Sequence, residues 1–208
     1  MACALTNGHA LLNSDSHFIK ATFDAFAQDF DETLKSLDYQ APNLIENEAA
    51  KHLKTSVFKG YHILDLGCGT GLCGEKMLEQ AEEKKIYAQL ICDDICHYME
   101  TTEYYFHVIV ASDVLTYFGD LTKAFVRVSK SLTPGGMFFF TVSENHYNED
   151  DFFMAPSGRF LHNPNYVEKA LKSAGLKVLN CERHILRNEA ESPVYGYIFA
   201  AAKPDLNK

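Results

Sequence analysis

Apolar residues recur at helical spacing early in the chain and later in short runs typical of strands. Large apolar side chains three or four positions apart predict one or two amphipathic helices over residues 18–37. A further helix is predicted to start at Ala41-Pro42 and to end near Leu53, because proline suits the first helical turn. Residues 1–17 are polar and aperiodic, and we expect a flexible tail there.

From residue 61 onward, short apolar runs alternate with helical patterns, which predicts a mostly parallel sheet with helices on both faces. The predicted strands cover residues 61–66, 88–92, 108–111 and 137–142, and the predicted helices cover 72–84, 121–132 and 165–174. Two final strands, 177–185 and 194–202, are close enough in sequence to form an antiparallel hairpin. We therefore predict an α/β, Rossmann-like fold that ends in this hairpin.

The length and composition of the chain favour a single domain. With 208 residues, of which 47% are hydrophobic, the chain can bury one substantial core. Residues 18–208 would form this domain, with a helical lid over residues 18–55 and a sheet core over residues 61–202. The sequence has neither an apolar run of membrane-spanning length nor a secretory signal pattern, so we expect a cytoplasmic protein.

The charge and the cysteines limit the kinds of site that we expect. The formal net charge is −9 and lysine and arginine form no cluster, which argues against nucleic acid and favours a small-molecule substrate. Cys92, Cys96 and His97 have no second Cys/His pair at zinc-like spacing, so no metal site is expected. We expect reduced thiols, because a disulfide at Cys68 or Cys73 would distort the turn that contains them.

The most informative motif is Ile63-Leu64-Asp65-Leu66-Gly67-Cys68-Gly69-Thr70-Gly71. It runs from an apolar strand into three alternate glycines and then into a helical pattern. Glycine lets the backbone turn sharply and approach a ligand without interference from a Cβ atom. The motif therefore predicts the floor of a nucleotide-type cofactor site. Its G-x-G-x-G spacing differs from the G-x-G-x-x-G spacing of dinucleotide sites, which disfavours a nucleotide-binding oxidoreductase.

Further motifs follow in a characteristic order. They are Val108-Ile109-Val110-Ala111-Ser112-Asp113-Val114-Leu115, then Leu132-Thr133-Pro134-Gly135-Gly136, then the terminal hairpin. The ordered set resembles class I S-adenosylmethionine-dependent methyltransferases. More narrowly, Leu37-Asp38-Tyr39-Gln40-Ala41-Pro42 and Ser157-Gly158-Arg159-Phe160-Leu161-His162 resemble predicted methyltransferases described as tetratricopeptide-repeat-associated. The resemblance implies S-adenosylmethionine as the cofactor and methyl transfer as the reaction.

The resemblance also implies which residues contact the cofactor. In such enzymes the glycine backbone passes under the methionine and ribose, one strand-end acid binds the ribose hydroxyls, and a later one lies near the adenine. The turn after Ala111 lies near the methionine end, and Tyr39 either closes over the cofactor or belongs to the core. The implied cofactor-binding residues are Asp65, Gly67, Cys68, Gly69, Gly71, Asp93, Asp94, Ile95, Ala111, Asp113 and Tyr39.

The chain departs from the family pattern between the glycine motif and Asp93. Only one helix and one strand are predicted there, so one strand–helix unit is missing and the sheet is expected to be one strand short of the usual seven. Asp93 or Asp94 would then be the adenine-side acid, with no ribose acid left. Alternatively, a right-handed crossover places the strand over residues 88–92 beside the first strand, where either aspartate takes the ribose role. A third alternative is that the chain is a shortened variant.

Other candidate residues lie in polar turns. Asp113 caps a short helix, faces the substrate, or does both. The polar stretch over residues 144–164 is longer than most connections and is a candidate substrate-facing loop. In it, Arg159 would hold an anionic group of the substrate and His162 would act as a base near neutral pH, unless both are ordinary surface residues.

Two functions are compatible with these features. One is an enzyme that transfers a methyl group from S-adenosylmethionine to a small-molecule acceptor, a reaction that needs no obligatory catalytic triad. The other is an inactive methyltransferase-like binding or regulatory protein, because a shortened sheet would leave the cofactor pocket incomplete. The three glycines favour the enzyme, and the missing strand–helix unit favours the inactive protein.

Overall fold

A seven-stranded sheet is formed by the residues that the computed structural model of the chain describes, which are 2–4, 34, 36–53, 60–68, 88–189 and 192–205. Its strands are β1 (Ala2–Ala4), β2 (Ile63–Leu66), β3 (Gln89–Ile91), β4 (Phe106–Ala111), β5 (Leu132–Ser143), β8 (Lys177–Glu189) and β9 (Ser192–Ala202). A two-stranded sheet pairs β6 (Phe152–Met154) with β7 (Phe160–His162). The described helices are α1 (Ala41–His52), α2 (Ile95–Thr101), α3 (Thr122–Ser131) and α4 (Pro164–Ser173), and a 3₁₀ turn spans Leu115–Tyr117.

The strand order β3-β1-β2-β4-β5-β9-β8 has a parallel part and an antiparallel part. Neighbouring strands from β3 to β5 run parallel, whereas β9 runs antiparallel to both β5 and β8. The predicted Rossmann-like sheet with a C-terminal antiparallel hairpin is therefore confirmed. The hairpin is longer than predicted and stays paired up to Glu189 and Ser192.

The expected loss of one strand is wrong. Strand β1 lies between β2 and β3 and pairs in parallel with both, with Ala2 opposite Leu64 on one side and Gln89 on the other. These three residues are thus part of the sheet and not of the flexible tail predicted for residues 1–17. The alternative that placed the strand after the glycine motif directly beside β2 is also wrong. A three-residue strand was missed because alternation is recognisable only over about four to eight residues.

Alternate residues of the central strands bury two apolar layers, one on each face of the sheet. Phe138 and Phe140 of β5 face the layer covered by α2, α3 and α4, whereas Phe139 between them faces the layer covered by α1. The ring centroid of Phe140 lies 4.4 Å from that of Phe138 and 5.1 Å from that of Phe199. These buried aromatic rings connect the parallel strands to the C-terminal hairpin.

The helices predicted from residues 41, 121 and 165 are confirmed as α1, α3 and α4, each within one residue at its start. Helix α2 and the β6–β7 pair were not predicted. The helix spans seven residues and each strand three, so the sequence carried only weak signals for them. The helix predicted over residues 72–84 and most of the one predicted over 18–37 lie outside the described residues.

Replacing Ala4 by proline tests the position of β1 inside the sheet. Proline lacks an N–H group and is found essentially only at sheet edges, whereas β1 has a neighbouring strand on each side. We expect Ala4→Pro to lower the free energy of unfolding by roughly 2 kcal/mol or more, measured by urea denaturation. Ala4→Ser keeps the N–H group and serves as the control, and equal unfolding midpoints for the two variants would contradict this placement.

Candidate functional site

Residues from three segments meet at the carboxyl edge of the parallel strands. Because β2, β3 and β4 run in the same direction, the residues that follow them lie along one edge of the sheet. Gly67 follows β2, Asp93 follows β3 and Ser112 follows β4. Ligands of open α/β sheets bind in the crevice outside this edge.

The turn after β2 depends on glycine at position 67. Gly67 has a φ of +63°, in the left-handed region that favours glycine. A Cβ atom at this position would overlap the Cγ2 atom of Val114, in the segment after β4. The glycine therefore lets the turn after β2 pack directly on the segment that contains Ser112 and Asp113. Gly69 and Gly71 lie outside the described residues.

Two other residues of the motif, Asp65 and Cys68, have different environments. Asp65 is buried in β2, in register with Cys3 of β1 and Val110 of β4. Cys68 is disulfide-bonded, so the expectation of a reduced thiol is wrong at this position. Sequence spacing does not determine the Cα distance that decides whether two cysteines can be bridged. The cysteines that the structure describes as free are Cys92, Cys96 and Cys181.

Asp93 and His97 form an ion pair just beyond β3. The Asp93 Oδ2 atom lies 2.7 Å from His97 Nδ1, and Asp93 Oδ1 accepts a hydrogen bond from the N–H of Asp94. The hydrogen bond to His97 lowers the pKa of Asp93, and the same contact raises the pKa of His97. Asp94 instead caps α2 by accepting from the His97 N–H, and Ile95 is buried in the core. Asp93 is thus a partly exposed carboxylate at the edge of the site.

Tyr39 reaches the end of β4 from the N-terminal side of α1. Its hydroxyl lies 2.9 Å from the Oγ atom of Ser112, which follows the buried Ala111. Two backbone hydrogen bonds, of 2.7 and 2.8 Å, join residues 37–40 to residues 186–188 of β8. We call residues 37–40 the strap, because they tie α1 to the C-terminal hairpin and hold Tyr39 beside Ser112.

Asp113 is the inner member of a charged cluster. Its φ is +55°, and its N–H donates to Thr141 Oγ1 at 3.0 Å. Its carboxylate accepts from the Nη1 group of Arg187 at 3.1 and 3.3 Å. The Arg187 side chain is only 4% exposed and donates through Nε to Glu189 Oε1 at 2.7 Å. Arg187 therefore joins two carboxylates.

Arg159 completes this cluster from the turn between β6 and β7. Its Nη1 group donates to the same Oε1 atom of Glu189 at 2.7 Å, and its side chain also hydrogen-bonds to Tyr117. Burial lowers the pKa of Arg159, but the charges of Asp113 and Glu189 outweigh burial and raise it. Burial raises the pKa of Glu189, and the two arginines outweigh this effect and lower it. We call Asp113, Arg159, Arg187 and Glu189 the two-arginine cluster.

Sequence reasoning identified Asp113 and Arg159 but missed Arg187 and Glu189. Asp113 and Arg187 are 74 positions apart, and in the sequence Arg187 is one polar residue of a strand-like segment. Nothing local distinguishes it from Arg183, which pairs with Glu144 at the surface. The burial that singles out Arg187 arises only when β8 packs beside β9.

His162 lies in the core and not in an exposed polar loop. Its Nε2 atom is 2.8 Å from the carbonyl oxygen of Phe118 and 3.1 Å from that of Gly119. Because carbonyl oxygens only accept hydrogen bonds, Nε2 carries the proton. Burial lowers the pKa of His162 to about 4. This placement does not match the expectation that His162 acts as a base near neutral pH. The ring instead donates a hydrogen bond to the backbone at residues 118–119.

No metal centre is formed by the residues that the structure describes, since their His, Cys, Asp and Glu side chains make no group of three or more suited to an ion. In particular, the Asp93–His97 pair gains no third ligand from them. None of the described helices is long and apolar enough to cross a bilayer.

Two methyltransferases of known structure share this fold. The 1,6-didemethyltoxoflavin-N1-methyltransferase of Burkholderia thailandensis, crystallised with 1,6-didemethyltoxoflavin and S-adenosylhomocysteine, superposes with a TM-score of 0.67. The two chains are 16% identical, and the match covers 97% of this chain and 94% of that one. The magnesium protoporphyrin IX methyltransferase of Synechocystis PCC 6803, with bound S-adenosylhomocysteine, has a TM-score of 0.63 at 11% identity, over 91% of this chain and 100% of that one.

Sequence comparison leads to the same class. The ubiquinone biosynthesis O-methyltransferase of Coxiella burnetii (strain Dugway 5J108-111) is 23% identical over 185 residues, covering 71% of this chain and 78% of that protein. The model of the methyltransferase domain family matches residues 28–180. The chain belongs to this family. The predicted class I methyltransferase fold is confirmed, and S-adenosylhomocysteine in the solved structures is consistent with S-adenosylmethionine as the family's cofactor.

Replacing Gly67 by alanine tests the packing of the glycine turn on Val114. The variant would combine left-handed strain of about 1–2 kcal/mol with an overlap costing about 1–3 kcal/mol. We expect Gly67→Ala to lower the free energy of unfolding by about 2–5 kcal/mol, measured by urea denaturation. Combining it with Val114→Ala removes the overlap, so the double variant should lose less than the sum of the two single losses. Strictly additive losses would contradict the contact.

His162 should make the protein less stable in acid. Its folded pKa of about 4 lies below the ordinary value of 6.5, so as the pH falls only the unfolded chain takes up the proton. Stability is therefore lost as the pH falls through 6.5 and levels off below about 4, and the loss by pH 5 is about 2 kcal/mol. We expect His162→Gln, which keeps an N–H donor but does not titrate, to flatten this part of the stability profile. An equally steep profile would assign the acid loss to other groups.

Proposed function

We propose that this methyltransferase transfers the methyl group of S-adenosylmethionine to a small-molecule acceptor bound beside the two-arginine cluster. The observation that supports this most directly is the Gly67 turn against Val114. It brings the cofactor-binding motif into contact with the segment that carries Ser112 and Asp113. A donor bound on one side of this contact and an acceptor bound on the other would be neighbours.

The relatives support a small-molecule acceptor. By their names, the Burkholderia enzyme methylates N1 of 1,6-didemethyltoxoflavin, the Synechocystis enzyme acts on magnesium protoporphyrin IX, and the Coxiella enzyme is an O-methyltransferase of ubiquinone biosynthesis. The seven-stranded sheet also removes the main reason for proposing an inactive protein, which was a sheet one strand short. The finer assignment to the tetratricopeptide-associated branch rests on the strap motif and on the segment around Arg159.

The residues at the carboxyl edge fit such a cofactor. Gly67 allows the turn after β2 to pack on Val114 at this edge, and Asp93 offers a carboxylate oxygen suited to a hydroxyl or amino group. Strand β1 separates β3 from β2, so the end of β3 lies about 10 Å to one side of the glycine turn. Asp113 follows the strand on the other side. We therefore assign the adenosine end of the cofactor to Asp93 and the methyl end to Ser112 and Asp113.

The remaining implied contacts follow from this orientation. Asp65 supports the glycine turn from within β2, and Ala111 ends the strand below the methyl end. Tyr39 covers the methyl end of the cofactor through its hydrogen bond with Ser112. Asp94 and Ile95 help indirectly by fixing the start of α2 behind Asp93. Cys68, Gly69 and Gly71 are assigned to the cofactor by the motif alone.

The chemistry requires mainly positioning. When bound, S-adenosylmethionine supplies a methyl group activated by a positively charged sulfur. This chain would hold the acceptor in line with that methyl group and exclude water from between them. The strap and Tyr39 are placed to cover the site, and the Arg187–Asp113 pair keeps the turn after β4 in one conformation. A base is needed only for acceptors that must lose a proton.

Calorimetry with S-adenosylhomocysteine tests the cofactor assignment. We expect Asp93→Ala to weaken binding roughly tenfold or more, because a hydrogen bond to a charged group is lost. Glu168→Ala is a matched control, since Glu168 is 36% exposed, Asp93 is 33% exposed, and each pairs with a side chain four positions later. Asp65→Ala should also weaken binding by disturbing the glycine turn. No binding to the unaltered protein at millimolar ligand would refute the proposed function.

A further inference from the structure

We propose that Arg159 and Arg187 form a subsite for a carboxylate of the methyl acceptor, and that Glu189 fills this subsite until the acceptor binds. The inference rests on the proposed function and narrows its substrates to small carboxylic acids. Four observations support it: the convergence of the two arginines, the difference in solvent exposure within the cluster, its charge, and its position beside the glycine turn.

The two arginines converge on a single point. Glu189 Oε1 accepts one hydrogen bond from Arg187 Nε and another from Arg159 Nη1, and both are 2.7 Å long. Hydrogen bonds of this length between charged groups are among the stronger ones in proteins. The arginines come from β8 and from the turn between β6 and β7, so local sequence does not force them together. They define a position for one carboxylate oxygen.

The cluster consists of an inner pair and an outer pair. Arg187 and Asp113 have side chains 4% and 15% exposed, so this inner pair is largely shielded from water. Arg159 and Glu189 are 25% and 41% exposed, so the outer pair borders solvent. An ion pair in contact with water contributes only about 0–1 kcal/mol. Another carboxylate that accepts from the same two nitrogen atoms makes the same hydrogen bonds as Glu189. It can therefore replace Glu189 at small net cost, while Asp113 keeps Arg187 in place.

The charge of the cluster favours an anionic acceptor. Two positive and two negative side chains balance each other while Glu189 is in contact with the arginines. If the Glu189 side chain turns into solvent, one positive charge is left without a partner in the cluster. A carboxylate restores the balance, whereas a neutral group of the same shape does not. The subsite thus selects for charge as well as for shape.

The position of the cluster suits an acceptor. Asp113 lies between Ser112, which contacts Tyr39, and Val114, which packs against Gly67. Tyr117, one turn further along, hydrogen-bonds to Arg159. A carboxylate bound by the arginines is therefore anchored beside the proposed methyl end of the cofactor, and the rest of the acceptor can extend toward it.

Titration with simple carboxylates tests the subsite. We propose NMR titrations with acetate, benzoate and 4-hydroxybenzoate, with 4-hydroxybenzamide as the neutral counterpart, on protein saturated with S-adenosylhomocysteine. The carboxylate of 4-hydroxybenzoate should bind roughly tenfold more tightly than the amide. Glu189→Gln should tighten carboxylate binding by up to about fivefold, because the internal competitor loses its charge. Arg159→Gln should abolish the difference between the acid and the amide.

Arg127→Gln is the matched control for Arg159→Gln. Arg127 is also 25% exposed and also pairs with one carboxylate, that of Glu100, but it lies on α3 outside the cluster. Its loss should leave carboxylate binding unchanged. Arg159→Lys keeps the charge without the planar fork and should bind carboxylates with intermediate affinity. Equal affinities for the acid and the amide, weaker binding to Glu189→Gln, or no carboxylate bound at millimolar concentration would each overturn the subsite.

The two proposals fail in different ways. If S-adenosylhomocysteine does not bind, the proposed function is refuted, and the carboxylate titrations without it still report on the subsite. If S-adenosylhomocysteine binds and the carboxylates show none of the expected differences, only the subsite is refuted.

Discussion

The parallel register of β2 and β4 is the constraint on which the site depends. Asp65 lies opposite Val110 and Leu66 opposite Ala111, so the two strands end at the same level. The turn at Gly67 and the turn after Ala111 then leave the sheet side by side. A register shift of one residue would turn every side chain to the other face and separate these turns. The glycine at position 67 matters because of this alignment.

The pairing of Arg187 with Asp113 adds a second constraint. Moving a charged pair out of water contributes little net stability, but removing one partner leaves a buried charge and is costly. The pair therefore holds Asp113 in its left-handed conformation through a side chain supplied by the C-terminal hairpin. Together with the strap, it connects three parts of the chain that are distant in sequence. The C-terminal hairpin thus contributes the side chains that contact Asp113. From the sequence, this hairpin was recognised only as a pair of strands.

Much of the fold could be predicted because its elements have local patterns. The strands around residues 108–111 and 137–142 are apolar runs of sufficient length, and the proline at position 42 marks a helix start. Strand β1 and the β6–β7 pair are three-residue strands, which are too short for a period. The predicted number of strands was wrong for this reason, since the additional strand, β1, is formed by residues that had been predicted to be a flexible tail.

The candidate site also contains residues that local sequence identifies and residues that only tertiary contacts identify. The glycine motif and the acids at strand ends could be identified from the sequence, because a left-handed turn and a strand end depend mainly on a few adjacent residues. The partners of Asp113 and the buried state of His162 depend on contacts across tens of residues. Such contacts follow from sheet register and from burial, which change the chemistry of a side chain without changing its local sequence. An arginine or a histidine in a polar stretch therefore has no assignable role until the chain is folded around it.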